Sequence, residues 1–128
     1  MPPSRMDRGY RRSRYSAGPI VARIGEPSAS ADAWLARHRA AAAVLVTAWN
    51  PISRPQPPVR NALAHTALLR ALRGRPFCEG WSGTAAFREW TVAVVGDLRL
   101  GRRLSRRFRQ RAWVWLRRGR PALLVYSP

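Results

Sequence analysis

Asparagine occurs twice in this 128-residue chain, at Asn50 and Asn61, eleven positions apart. Asn50 belongs to the run Thr47-Ala48-Trp49-Asn50-Pro51, where an apolar stretch of strand length meets a proline-rich segment. Asn61, His65, Leu68 and Leu72 follow i, i+4, i+7, i+11 spacing, one stripe of a helix. With the leucines turned to a core, Asn61 and His65 turn inward too, near the loop that Asn50 begins. Glu89 and Gln110 extend the polar set, so that Thr47, Trp49, Asn50, Asn61, Glu89 and Gln110 form the candidate ligand-binding group. Carboxamides donate and accept together, which suits reading a nucleobase edge or a peptide backbone, and Trp49 offers a stacking platform. They are poor acids and bases; only Glu89 titrates usefully. A plainer account competes: the amides satisfy backbone groups at a strand end and a helix start, and Glu89 pairs with an arginine.

Other constellations fall short. Cys78 with His38 or His65 matches no local nucleophile motif, and a lone Cys behaves as a small hydrophobe. Two His, one Cys and six acids show no metal-ligand spacing. Gly80 and Gly83 signal a loop, without a phosphate-cradling pattern. No catalytic residue, metal or cofactor is assigned, and a non-enzymatic role is expected. Trp34, Trp81, Trp90, Trp113 and Trp115 read as packing residues.

The elements that must position the candidate group follow from periodicity and breakers. Pro19–Ile24 predicts a first strand, ended by Gly25 and Pro27. Ser28 or Ser30 caps a helix carrying Ala31, Trp34, Leu35 and His38 on one face. Ala42–Thr47 predicts a strand covered on both sides. Pro51, Pro55, Pro57 and Pro58 make Asn50–Pro58 a loop, and Pro51 biases Asn50 to an extended or turn geometry. A helix follows from Pro58 or Val59 to a stop at Gly74. Phe77–Trp90 holds a short strand, a Gly-rich loop and the entry to a strand at Thr91–Val95. Leu98–Phe108 predicts an amphipathic helix with Leu100, Leu104 and Phe108 on one side. Ala112–Leu116 and Ala122–Tyr126 predict a closing hairpin. This pattern predicts an α/β domain, an α+β sandwich: one mixed sheet of about five to six strands with about three helices on it. Residues 1–14 are expected to be a mobile basic arm and 15–128 a single domain.

The formal net charge is +18, from 24 arginines and no lysine against six acids. A GC-rich coding bias accounts for Arg over Lys but not for so few acids. The second account is a polyanion partner, since guanidinium forks bind phosphate bidentately. Arg99, Arg102, Arg103, Arg106 and Arg109 crowd one face of the last predicted helix, with Arg117 and Arg118 beyond it. No helix-turn-helix or other reader motif is present, so contact with nucleic acid or another polyanion is expected to be sequence-independent. No apolar run reaches the roughly 18–20 residues of a membrane span, and no signal-peptide core follows the basic start. A cytoplasmic location is expected, consistent with the single Cys78.

The Thr47-Ala48-Trp49-Asn50-Pro51 run, with Tyr15, Arg23-Ile24-Gly25, Ser53, Asn61, Glu89 and Phe108 with Gln110-Arg111-Ala112, resembles an uncharacterised family of small bacterial proteins, a domain of unknown function. The resemblance covers about Tyr10 to Trp115. In that family's pattern an acidic residue precedes the second Asn, where this chain has Arg60. The resemblance implies a compact α/β domain with a shared polar set and carries no activity. Two functions follow: polyanion association through surface Arg, which the composition favours, and a small polar-ligand or catalytic pocket, which the resemblance favours.

Overall fold

The computed structural model of the protein describes residues 4–127. In chain order it contains α1 (Arg5–Arg12), β1 (Tyr15–Ala17), β2 (Ile20–Ala22), α2 (Ala29–Arg37), β3 (Ala42–Val46), a short 3-10 turn (Pro51–Ser53), α3 (Pro58–Ala71), β4 (Phe77–Thr84), β5 (Phe87–Val95), α4 (Leu98–Arg107), β6 (Ala112–Arg117) and β7 (Leu123–Tyr126).

Five strands form the main sheet in the order β4-β5-β3-β6-β7, and β1 and β2 form a separate hairpin. The α+β layering matches the sequence expectation, but the main sheet is antiparallel throughout, not mixed. The two helical crossovers explain the difference. β3 and β4 run the same way across α3, and β5 and β6 do so across α4. In each case an antiparallel strand fills the gap: β5 in the first, β3 in the second. The run β3-α3-β4-β5-α4-β6 is thus a pair of interleaved split βαβ units, the ferredoxin-like arrangement.

β3 is buried on both faces, as its unbroken apolar run requires. On one face Val44, Val46, Val92, Val94 and Trp113 pack with Leu68 and Leu72 from the α3 side and Leu100 and Leu104 of α4. On the other, Ala43, Leu45, Ala93, Val114 and Leu116 meet Ile20 and Ala22 of β2 and Trp34 and Leu35 of α2. Gly101 lets α4 approach the sheet: a Cβ there would lie 2.3 Å from the Trp113 indole.

Three segments differ from the sequence reading. Pro19–Ile24 holds one strand, shortened to Ile20–Ala22, but its partner was missed: Gly18, at φ 53°, turns the chain and makes Tyr15–Ala22 a hairpin. Phe77–Trp90 is mostly strand: β4 and β5 form a long hairpin turning at Ala85 and Ala86. Gly80 serves as a close approach inside that hairpin, since a Cβ there would meet the Ser16 carbonyl oxygen at 2.5 Å. Lastly, the stretch read as a basic arm contains α1. Ser4 caps it by accepting from the Asp7 amide, and Asp7 pairs with Arg11 one turn on. The Tyr126 hydroxyl donates to Asp7, and the Tyr15 hydroxyl donates to the Tyr10 carbonyl at 3.0 Å, tying α1 to the body. Residues 1–3 of the expected arm lie outside the described residues. No helix among the described residues is long and apolar enough to cross a membrane.

Candidate functional site

The site begins where β3 ends. Thr47 Oγ1 donates to the Trp90 carbonyl at 2.7 Å and accepts from the Trp49 amide at 3.0 Å, closing the strand edge. The chain then enters a left-handed turn at Asn50, with φ 48° and ψ 62°. Of the two geometries expected before proline, the turn is the one adopted. Ile52 and Ser53 also have positive φ, 55° and 56°. A β-branched residue is strained there, by roughly 1–2 kcal/mol. Two bonds hold it: the Ile52 amide donates to the Arg109 carbonyl at 2.7 Å, and Arg111 Nε donates to the Ile52 carbonyl at 3.1 Å.

This turn brings the two asparagines together. Asn61 Oδ1 accepts from the Asn50 backbone amide at 2.9 Å, and Asn61 Nδ2 donates to Asn50 Oδ1, also at 2.9 Å. Asn50 Oδ1 accepts in addition from the Gln56 amide at 3.1 Å. Because a backbone N–H only donates, it fixes the orientation of Asn61, and Asn61 then fixes that of Asn50. The remaining Asn50 Nδ2 donates to Glu89 Oε2 at 2.9 Å. Both asparagines are buried, at 7% and 4% exposure. The pair is a clasp whose polar groups satisfy each other and deliver a single donor to a carboxylate.

Glu89 lies on the sheet face opposite Trp90 by strand alternation. Burial pushes its carboxyl up from 4.5 to about 7, against the opposing pull of the Asn50 hydrogen bond. It lines a cavity of about 330 Å³ between the sheet, β1 and α1, within the range of small-molecule sites. Thr47, Asn50 and Gln110 line the same cavity. Gln110 is braced from above, its Nε2 donating to the Trp49 and Phe108 carbonyls at 3.0 and 3.1 Å. Leu45, Val114 and Leu124 form an apolar floor, and Met6, Tyr10 and Tyr15 close the other side. Burial also raises the Tyr15 hydroxyl well above the ordinary tyrosine range.

Four of the six candidate residues thus share one cavity, and two do not. Asn61 stands behind Asn50 as its support. Trp49 is no platform in the cavity: its ring meets Trp81 edge-on, with centroids 5.2 Å apart. Behind Trp81, Trp90 and His65 continue the stack at 5.5 and 4.2 Å. His65 Nε2 contacts Glu79 Oε1 at 2.7 Å. Among the described residues Glu89 makes no ion pair with an arginine, in contrast to the plainer account of it.

Sequence reasoning missed Met6 and Tyr10, which were assigned to a basic arm. The signal was there: Ser4 with Asp7 three residues on, and Asp7 with Arg11 at i, i+4, mark a helix start.

The arginines form a separate feature. Arg99, Arg102, Arg103, Arg106 and Arg109 are exposed along and just past α4, and none lies within ion-pair distance of a carboxylate among the described residues. Arg117 and Arg118 are more committed to the protein itself. Arg117 is half-buried, its guanidinium 4.6 Å from the centre of the Trp115 ring, and Arg118 Nη2 donates to the Ala40 carbonyl. No cluster of three or more metal-ligating side chains occurs among the described residues.

A family model described as a protein of unknown function, DUF3293, matches residues 46–113. That span includes Thr47, Asn50, Asn61, Glu89 and Gln110, and leaves out α1, β1, β2 and α2. No curated protein and no solved structure matches the chain.

Proposed function

Since the chain belongs to the DUF3293 family, whose description carries no activity, we propose from its own geometry that it binds a small molecule in the cavity beside Glu89. The observation carrying this reading is the carboxyl itself. It is held in an apolar cavity by one amide, and burial raises its proton affinity so that it exchanges its proton around neutral pH. A merely structural carboxylate gains nothing from such a place. Binding is a better reading than catalysis, because the lining offers one group that exchanges a proton near neutrality and no nucleophile paired with a base. Native mass spectrometry of the protein purified from its source cells, compared with a cavity-filling Leu124→Trp variant, tests the reading. A small-molecule adduct on the natural protein that the variant loses is expected. An adduct retained equally by both would place the ligand elsewhere.

The exposed α4 arginines favour a second, compatible activity: sequence-independent association with nucleic acid or another polyanion. Counter-ion release then dominates, and affinity for single- or double-stranded DNA or RNA should fall by orders of magnitude between about 50 and 200 mM salt. Replacing Arg99, Arg102, Arg103 and Arg106 by Ser should flatten that salt slope. An unchanged slope would end this reading.

A further inference from the structure

The protein has 24 arginines, yet among the described residues none lines the Glu89 cavity, and neither does a histidine. Glu89 is the one charged side chain in the lining. The other polar groups of the lining residues are hydroxyls, amides, backbone and the Trp113 indole N–H, all of them uncharged. In a chain so rich in guanidinium groups, a buried carboxylate without a basic neighbour is an unfilled electrostatic demand. Its donor, Asn50 Nδ2, satisfies Oε2, and among the described residues Oε1 accepts no hydrogen bond.

We infer that the cavity takes a small organic cation, an ammonium on an apolar or aromatic frame, whose nitrogen sits on Glu89 and supplies the counter-charge that the protein withholds. This assignment rests on the small-molecule reading above and narrows it to one ligand class.

The lining suits that class throughout. Leu45, Val114 and Leu124 accept an apolar frame. Tyr10 and Tyr15 bring aromatic rings, whose faces attract cations. Thr47 and Gln110 add neutral polar groups for the remaining ammonium hydrogens. An anionic ligand meets the opposite situation, with no arginine to receive it and a carboxylate to repel it. The positive surface does not reverse this preference. At physiological salt its field decays over about 8 Å, whereas the carboxylate acts at contact in a poorly screened site.

The charged form of Glu89 is the competent one, which sets the direction of the pH response. With its carboxyl titrating at about 7, the ionised fraction and hence the affinity for a permanently charged ammonium should rise about tenfold between pH 6 and 8. The titratable groups that face Glu89 from neighbouring elements are Tyr15 of β1 and Tyr10 of α1. Burial raises the Tyr15 hydroxyl further from that interval, so the profile reports Glu89. A neutral ligand accepting a proton from the carboxylic acid would show the opposite slope.

Three matched probes test the assignment by calorimetry on the full chain: 2-phenylethylamine, 2-phenylethanol and phenylacetate. The amine should bind at least tenfold more tightly than the alcohol at pH 8, the scale of a charge-assisted hydrogen bond, and phenylacetate should bind least. Glu89→Gln, which preserves size and the Asn50 contact, should remove the preference for the amine and leave the alcohol within about twofold. If the alcohol or phenylacetate equals the amine, or amine affinity falls from pH 6 to 8, the cation assignment is overturned while the cavity remains a ligand site. If all three probes bind identically to the natural protein and to Leu124→Trp, or none binds either, the cavity reading fails with it. The pH profile of the natural protein keeps the test decisive even where a variant folds poorly.

Discussion

Glu89→Gln should make the protein more stable, and more so as the pH rises. In the unfolded chain the carboxyl releases its proton near 4.5, while in the folded chain it holds it to about 7. Between those values the folded state binds more protons, so stability falls as pH rises through the interval and levels off above it. Each pH unit of that gap is worth about 1.4 kcal/mol, giving a ceiling of about 3.5 kcal/mol; the partial exposure of Glu89 lowers this to roughly 2–3 kcal/mol. The glutamine side chain accepts from Asn50 as the carboxylate does but has no proton to lose. Guanidinium chloride unfolding of both proteins at pH 5, 6, 7 and 8 measures the difference, and other titrating groups cancel in it. The variant should be nearly level with the natural protein at pH 5 and ahead by about 2 kcal/mol at pH 8. Parallel stability profiles would refute the reasoning, because they would mean that Glu89 ionises as readily folded as unfolded.

The clasp, the helix contact and the strained turn give three further expectations. Asn61→Ala removes the acceptor of the buried Asn50 amide and should destabilise the fold by about 2–3 kcal/mol, read as a lowered unfolding midpoint; a loss below 0.5 kcal/mol would show that solvent already serves that amide. Gly101→Ala drives a methyl into the Trp113 ring and should cost about 1–3 kcal/mol, with a shifted tryptophan emission spectrum as an independent sign that the indole moved. Ile52→Asn places a residue tolerant of left-handed backbone at φ 55° and should raise stability by up to about 1 kcal/mol, whereas a clear loss in thermal unfolding would mean that the isoleucine side chain matters more than its backbone strain.

Local rules made much of the fold legible. α2, α3 and α4 begin within a residue or two of their sequence signals, because a capping Ser28, a proline pair and an Asp97 cap leave little choice. Strand partnership was less legible. Helical crossovers normally imply parallel neighbours, and nothing local to β3 or β5 announces that each slots between the two strands of the other's unit. The β4 strand was hidden by Gly80 and Gly83, residues that usually mark loops but here admit the backbones of β1 and β5. In the site, helical spacing correctly brought Asn61 beneath Asn50. The chemistry was less readable, because the amides' bonds depend on a left-handed turn that places the Asn50 N–H against Asn61. The two asparagines spend their polar groups on each other and on Glu89, while Glu89 and Gln110 line the cavity.

The sheet also decides how the two proposed activities relate. The α4 arginines lie over the face formed by Val44, Val92 and Trp113, while the Glu89 cavity opens on the face of Leu45 and Val114. A polyanion along α4 therefore leaves the cavity free. Polyanion binding at that helix and cation binding at Glu89 draw on opposite charges, and a phosphate chain has no reason to enter a cavity whose lining holds a carboxyl and no guanidinium. α1 borders both features: Met6 lines the cavity and also a surface groove with Arg106 and Arg109, Tyr10 lines the cavity, and Arg5, Arg11 and Arg12 are exposed. Affinity for 2-phenylethylamine should accordingly be the same with and without saturating DNA when α1 stays seated, and a change in that affinity would identify α1, not α4, as the surface on which polyanions act.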